Sequence, residues 1–329
     1  MPEMHIRAVL RGIGLALVFA LCLSACGTSS EGPGQKGDRR LVVGLLFPVV
    51  AGTPYSTSYV DAFKAKASEL GVEVKVYDAN LSASTQASQA EELLAQKPDG
   101  IVLNPAAADA AAPIIAKANA LRIPISISNS EVSPDLLTKS VLYTGPPNKQ
   151  QGEVAAELLA EALGNKGNVI IVGGPAGVQV CVDREAGLRE KLKEIAPNMK
   201  VLDSQPADWD VAKSISATTS MLTKYGDDVD GIYAMADFEA LGAAQALTKA
   251  GKSPKDIPIV GTGFSRDGQK GIKAGTLYGT VRQSATADGE YAIEYLVKSL
   301  RGQPTEKNIY IPSDPITIDN VDQFTPDWN

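Results

Sequence analysis

The chain of 329 residues has a formal net charge of −7, and only 5% of its residues are aromatic. An acidic chain with few aromatic residues lacks the basic surface typical of nucleic-acid binders, so no nucleic-acid partner is expected. With one histidine and three cysteines, the sequence also offers few of the side chains that serve nucleophilic catalysis or metal binding.

Residues 1–25 have the pattern of a secretion signal. Two arginines precede an apolar run over residues 13–23, which is shorter than the roughly 20 residues that span a bilayer. A Ser-Ala pair directly before Cys26 resembles the lipobox of bacterial lipoproteins, so we expect cleavage there and a lipid anchor on Cys26 at the outer face of the cell membrane. A plain secretory signal followed by a chance cysteine is the alternative. Residues 26–40, rich in glycine and serine, then form a flexible tether.

Removal of this segment restricts the chemistry of the mature chain. His5 leaves with the signal, so no imidazole remains for general-base catalysis or metal binding. Cys22 also leaves and Cys26 carries the lipid, so no disulfide is expected within the folded region. Cys181 is expected to be a small buried apolar side chain and not a nucleophile. We therefore expect no enzyme, no cofactor and no metal site.

From residue 41 onward, short β-branched runs alternate with amphipathic helical segments. This alternation is typical of βαβ units in an α/β fold with a mostly parallel sheet. The first four strands are predicted over residues 41–47, 72–77, 100–103 and 123–128. Helices are predicted between them, the first with an apolar stripe from Tyr59 to Leu70 that ends at Gly71, and the next two over residues 84–96 and 110–121.

A Gly-Pro-Pro cluster at residues 145–147 interrupts this alternation, which then starts again. Proline and glycine there exclude a continuous helix or strand, so we interpret the cluster as a crossing between two lobes. The prediction is two doubly wound parallel-sheet lobes joined by a hinge of several segments. The first lobe is assigned residues 41–144 plus 284–308, and the second 145–283 plus 309–329.

The residues that follow the predicted strands are the candidate binding residues, because ligands of such sheets lie outside the carboxyl ends of the strands. Sugar hydroxyls both donate and accept hydrogen bonds, and sugar C–H faces pack on aromatic rings. The side chains at these positions include amides, charged groups and rings of that kind: Tyr55, Asn104, Asn129, Arg184, Trp209, Asp237, Phe264 and Gln283.

Four segments make the chain similar to the ribose-binding protein family of periplasmic binding proteins, over nearly its whole mature length. They are Ile-Val-Leu-Asn-Pro at 101–105, Ser-Gln-Pro-Ala-Asp-Trp-Asp at 204–210, Asp-Phe-Glu-Ala-Leu-Gly-Ala at 237–243, and Val-Gly at 260–261 with Asp-Gly at 267–268. The resemblance implies an extracytoplasmic binding protein that closes two lobes on a small sugar or sugar alcohol. It would deliver that ligand to ABC permease subunits, with ATP hydrolysis in a separate subunit.

The resemblance also implies roles for individual residues. Tyr55 and Trp209 would sandwich the ligand, and its hydroxyls would bond to Asn104, Arg184 and Gln283. We expect the binding protein to act as a monomer.

Three positions depart from the family pattern. Asn129-Ser130 stands where the family usually has Asp-Arg, Ala236 stands where its sugar binders have asparagine, and the loop 262–264 brings no aspartate after Gly-Phe. Each departure removes a charged or polar partner, and charge-assisted hydrogen bonds are the stronger kind. The pattern therefore favours a smaller or more flexible polyol, such as a tetritol or pentitol, over ribose itself.

Several alternatives stay open. The residues allow structural interpretations, which are a turn for Asn104, a helix N-cap for Asp237, cover of an apolar edge for Trp209 and a solvated surface charge for Arg184. One functional alternative is an extracytoplasmic sugar sensor that presents its ligand to a signalling receptor. Another is an enzyme acting on carbohydrates, which would require two carboxylates flanking the ligand.

Overall fold

A computed structural model of the chain describes residues 39–107 and 109–329. The predicted signal segment, Cys26 and the tether up to residue 38 lie outside the described residues. Within the described part, no helix is both long enough and apolar enough to cross a bilayer.

Six strands form the first sheet, and their pairings are all parallel. Five come early in the chain and one near its end: β1 (Val42–Phe47), β2 (Glu73–Asp78), β3 (Gly100–Leu103), β4 (Ile125–Ser128), β5 (Tyr143–Gly145) and β11 (Asn308–Tyr310). Their order across the sheet is β11-β5-β4-β3-β1-β2. The central strands β3 and β4 are buried at every position, as expected for a parallel sheet covered by helices on both faces.

The second sheet repeats this arrangement with six further strands. Their spatial order is 12-10-9-8-6-7, and they are β6 (Lys166–Gly173), β7 (Asn198–Pro206), β8 (Gly231–Ala234), β9 (Ile259–Gly263), β10 (Gly279–Arg282) and β12 (Pro315–Thr317). Only the edge pairing of β12 with β10 is antiparallel among the described strands.

Helices connect the strands and cover both faces of each sheet. They are α1 (Pro54–Glu69), α2 (Ala83–Ala95), α3 (Ala111–Ala120), α4 (Pro134–Thr138), α5 (Asn148–Leu163), α6 (Gln179–Ile195), α7 (Val211–Tyr225), α8 (Asp237–Lys249), α9 (Arg266–Lys273) and α10 (Ala285–Leu300). The sequence did not predict α4 and α9. Each is eight residues or shorter, which is less than the window of about 11 to 18 residues over which a helical period is recognised.

Glycines allow two helix pairs to pack backbone against backbone. A Cβ on Gly187 of α6 would lie 2.0 Å from the carbonyl oxygen of Lys149 in α5, and one on Gly152 of α5 would lie 1.9 Å from that of Arg184. A Cβ on Gly289 of α10 would lie 2.2 Å from a carbonyl oxygen of α1. These contacts hold α6 against α5 in the second lobe and α10 against α1 in the first.

The chain crosses between the sheets three times within the described residues, after β5, after β10 and after β11. This confirms the predicted fold of two doubly wound parallel-sheet lobes joined by several segments. The residue limits of the lobes stay a prediction. Because β11 pairs with β5, the limit expected between residues 308 and 309 falls inside a strand of the first sheet.

Candidate functional site

A cavity lies between the two lobes, where the carboxyl ends of both sets of parallel strands meet. The space among its wall atoms is about 760 Å³ and includes open solvent. Both lobes supply its wall, through Phe47, Pro48, Val49, Thr53, Tyr55, Ser56, Leu81, Asn104, Pro105, Asn129, Ser130, Val178, Val180, Arg184, Trp209, Met235, Ala236, Phe238, Thr262, Gly263, Gln283 and Trp328. Six of the eight predicted binding residues are in this set.

Three of those six come from the first lobe. Tyr55 is in the first turn of α1, which begins at Pro54 and is capped by the Thr53 side chain. Asn104 follows β3 and Asn129 follows β4. Asn129 has a φ of 61°, a left-handed conformation that asparagine adopts more readily than most residues. Short strands that end at the same edge of the sheet thus bring the three side chains to one wall.

Asn104 offers an unused amide to the cavity. Its backbone N–H donates to the carbonyl of Leu46 at 3.0 Å, and its carbonyl accepts from Gln86 Nε2 at 2.8 Å. The residue is only 4% exposed, yet its side chain makes no hydrogen bond to any described residue. An amide at a cavity wall that has no protein partner is available to a ligand.

Arg184 is buried in the second lobe and is not a solvated surface charge. Its side chain is 4% exposed and projects from α6. It donates to Gln151 Oε1 at 2.7 and 3.0 Å, to the carbonyl of Met235 at 2.8 Å and to Gln283 Oε1 at 2.6 Å. None of these acceptors is a carboxylate, so the positive charge is held by amides and a carbonyl.

Trp209 lies in the loop between β7 and α7, in an uncommon backbone conformation. Asp208 and Trp209 have φ of 53° and 56°, and the Trp209 N–H donates to Glu239 Oε1 at 3.1 Å. The indole packs over Gly174, where a Cβ would come within 2.2 Å of Trp209 Cζ2. Neighbouring residues therefore fix this ring at the cavity wall despite the backbone strain.

Gln283 follows β10 and joins the two lobes. Its Nε2 donates to Tyr55 Oη at 2.7 Å, while its Oε1 accepts from Arg184. Tyr55 Oη in turn donates to Asp288 Oδ2 at 2.6 Å, and Asn129 Nδ2 donates to the same carboxylate oxygen at 2.7 Å. These bonds form a continuous network from α6 of the second lobe to α10 of the first.

Asp288 lies behind the wall and is fully buried. Burial raises the pKa of its carboxyl from 3.8 to about 7, although the bonds from Asn129 and Tyr55 and the charge of Arg184 lower it. Burial, followed by the charge of Asp288, also raises the pKa of Tyr55 well above 10. The tyrosine therefore keeps its proton throughout the range in which the carboxyl titrates.

Two predicted binding residues are absent from the cavity wall. Asp237 is fully buried in the second lobe, where its carboxylate accepts from the Ser265 N–H and from Thr280 Oγ1, both at 2.6 Å. It is the first residue of α8 and not the N-cap. Phe264 packs in the core of the second lobe, with its ring edge-on to Phe324 at 6.3 Å. Both side chains are therefore used inside the second lobe and not at the cavity wall.

Two residues of this region were missed by the sequence analysis. Trp328 is 3% exposed, lies edge-on to Tyr55 with ring centroids 5.4 Å apart, and donates from Nε1 to the carbonyl of Gln283 at 3.0 Å. It follows no strand, so the rule about strand ends did not select it. Asp288 stands within α10, where an aspartate in a first helical turn is common.

The wall is neutral apart from Arg184. Among the described residues, the wall contains no aspartate or glutamate, and no group of three or more candidate metal ligands is found there or elsewhere. Its polar part is made of amides and hydroxyls, and its apolar part of valines, a methionine and aromatic rings. Such a surface suits an uncharged ligand that has both hydroxyl groups and C–H faces.

Residues 43–304 match the family described as a periplasmic binding protein domain. The chain is 29% identical over 320 residues to the xylitol-binding protein of Mycolicibacterium smegmatis, covering 97% of this chain and 88% of that protein. It is 29% identical over 290 residues to the ribose import binding protein of Escherichia coli, covering 88% of this chain and 93% of that protein.

The fold agrees with solved structures of similar proteins. An ABC transporter solute-binding protein from Bacillus halodurans with bound myo-inositol superposes with a TM-score of 0.80 at 26% identity, covering 87% of this chain and 98% of that chain. The arabinose-binding component from Shewanella gives a TM-score of 0.79 at 25% identity, covering 86% and 93%.

Proposed function

Because the chain belongs to the periplasmic binding protein family, we propose that it is the solute-binding lipoprotein of an ABC importer and captures a small neutral monosaccharide or sugar alcohol. The family consists of extracytoplasmic binding proteins, which are not enzymes, and its members similar to this chain bind sugars or polyols. The wall of the interlobe cavity carries this proposal, since the described residues that line it offer amides, hydroxyls and rings but no carboxylate.

Different wall residues contact different parts of the ligand. The amides of Asn104, Asn129 and Gln283, together with Arg184, bond to ligand hydroxyls, and the Trp209 ring packs against the C–H face. Because the Tyr55 hydroxyl already bonds to three protein groups, its ring and not its hydroxyl faces the ligand. Trp328 joins this group of aromatic side chains through its edge contact with Tyr55.

A ligand as small as a sugar alcohol can bind this cavity with micromolar affinity. A micromolar dissociation constant corresponds to about −8 kcal/mol. A polyol of roughly ten heavy atoms reaches that value at about −0.8 kcal/mol per atom, which is within the observed ceiling for small ligands. Enclosure of the ligand by both lobes is therefore sufficient for micromolar affinity without a metal or a covalent bond.

Capture follows from the two-lobed architecture. The three crossing segments act as a hinge, and a ligand that contacts both lobes stabilises the closed form. The moving bodies are the two lobes expected from the sequence, with the last limit shifted to follow β11. The closed monomer then docks on the permease subunits, and lipid on Cys26 keeps it at the membrane.

A thermal-shift screen tests the ligand class. We expect ribose, xylitol, erythritol or myo-inositol to raise the melting temperature, because a ligand present at 100 times its dissociation constant stabilises the folded state by about 2.7 kcal/mol. Asn104→Ala should reduce this shift, whereas Asn119→Ala, on the exposed side of α3, should leave it unchanged. A shift produced only by amino acids or peptides would refute the sugar and polyol assignment.

Anchoring is tested separately. The wild-type protein should remain with the membrane fraction after expression in a bacterium that processes lipoproteins, and Cys26→Ser should release it into the soluble extracytoplasmic fraction. Release of the wild-type protein as well would exclude the lipid anchor without affecting the binding proposal.

A further inference from the structure

The hydrogen bonds that join the lobes run in one fixed direction. Arginine can only donate, so Arg184 Nη2 donates to Gln283 Oε1 and thereby orients the amide with Nε2 toward Tyr55. Tyr55 Oη accepts that bond and uses its single proton to donate to Asp288 Oδ2. The direction is fixed at both ends, because an ionised carboxylate can only accept.

A second branch reaches the same carboxylate through the cavity wall. Asn129 Nδ2 donates to Asp288 Oδ2 at 2.7 Å and to Tyr55 Oη at 3.1 Å. The amide nitrogen is thus turned away from the ligand. Oδ1 of Asn129 makes no hydrogen bond to any described residue and is the acceptor that this wall residue can offer.

We infer that ionised Asp288 is a positioning residue, which fixes the orientation of the Tyr55 hydroxyl and of the Asn129 amide and so determines that Asn129 presents an acceptor to the ligand. This inference rests on the proposed function. The carboxylate does not touch the ligand. It acts through Tyr55 and Asn129, from a helix behind the wall, at a site whose own surface is free of carboxylates among the described residues.

The surroundings of Asp288 make its charge unusual. Tyr55 and Tyr59 of α1, Tyr143 of β5 and Arg184 of α6 are the titratable groups that interact with it. Only Arg184 is cationic, and it bonds to Gln283 and Gln151 instead of to the carboxylate. Oδ1 of Asp288 is buried and has no hydrogen-bond partner among the described residues.

Protonation of Asp288 would remove the fixed direction of the hydrogen bonds that end on its carboxylate. A carboxyl group that carries a proton is able to donate to Asn129 Oδ1 when that amide turns over, so Asp288 would no longer require Nδ2 to face it. The Asn129 amide would then lose its single orientation. Since burial brings the pKa of this carboxyl to about 7, the change falls within an ordinary range of extracellular pH.

Binding of xylitol as a function of pH tests this role. Titration calorimetry from pH 5.5 to pH 8.5 should show about tenfold tighter binding by the wild-type protein at the alkaline end, since a charge-assisted hydrogen bond exceeds a neutral one by roughly 1 to 1.5 kcal/mol and tenfold equals 1.4 kcal/mol. Asp288→Asn should bind weakly with no pH dependence. Glu131→Gln is the matched control, because burial also raises the pKa of Glu131 but this residue is not in the network.

The possible results separate the role of Asp288 from the ligand class. Wild-type affinity of Asp288→Asn at pH 8.5, or loss of the pH dependence in Glu131→Gln, would overturn the positioning role. A purely structural role predicts that Asp288→Asn lowers the melting temperature of the empty protein at pH 8.5, and that result would overturn it as well. Failure of xylitol, ribose and myo-inositol to bind the wild-type protein at any pH would instead refute the proposed function.

Discussion

Replacement of Asp288 by asparagine is expected to stabilise the empty protein in alkaline solution. The carboxyl is fully buried, and within the described part of the chain it lacks a partner on Oδ1 and forms no ion pair. Its ionised form is therefore held at a cost in folding free energy, which a neutral side chain of nearly the same shape avoids. The gain in folding free energy is expected for the protein without a bound ligand.

The size and sign of the effect follow from the two pKa values. The pKa of Asp288 is about 7 in the folded protein, against an ordinary value of 3.8, so the folded state retains this proton to higher pH than the unfolded state. The stabilisation that comes from this raised pKa is fully present below pH 3.8 and is lost as the pH rises to about 7. Above that pH the stability no longer changes through this group. With 1.36 kcal/mol for each pKa unit, the total loss is about 4 kcal/mol.

Urea unfolding followed by circular dichroism measures this effect. The difference in unfolding free energy between Asp288→Asn and the wild-type protein should favour the variant by several kcal/mol more at pH 8 than at pH 4. Buried Asp237 and Glu239, whose pKa values burial also raises, are present in both proteins and cancel in the comparison. Parallel pH profiles, or a variant that is less stable at pH 8, would refute the reasoning.

Three further outcomes are expected elsewhere in the chain. Trp209→Ala should weaken ligand binding by 3 kcal/mol or so while circular dichroism shows an intact fold, and retained affinity would remove this ring from the site. Gly187→Ala should destabilise the protein by about 1 to 3 kcal/mol in urea, because its Cβ would meet the carbonyl of Lys149; an unchanged midpoint would contradict this. Cys181, whose pKa burial raises to about 12, should resist a thiol reagent at pH 8 until urea unfolds the chain, and rapid labelling of the folded protein would show that it is accessible.

Much of the fold could be predicted because the strands are short, β-branched and buried on both faces. Alternation of such runs with helical segments identified two parallel sheets, and the Gly-Pro-Pro cluster identified the first crossing. The rule that ligands lie at strand ends then selected Asn104, Asn129 and Gln283, which the structure brings to one cavity from both lobes. These features depend on local sequence and on the general geometry of parallel sheets.

The rest of the site depends on contacts between distant segments. Asp237 and Phe264 also follow strands, yet their side chains are used inside the second lobe, and the sequence contains no signal for that choice. Trp328 reaches the wall only because the last residues fold back onto the segment around Gln283. Asp288 is an ordinary first-turn aspartate in sequence, and its position behind Tyr55 arises from the packing of α10 on α1.

The position of Trp328 in the wall couples ligand binding to the local stability of a segment distant in sequence. Tyr55 and Trp328 are far apart in sequence, yet their rings are in contact and the Trp328 indole donates to the carbonyl of Gln283. Since a ligand stabilises only the state that it binds, occupancy of the cavity should also protect the backbone around Trp328 from local unfolding.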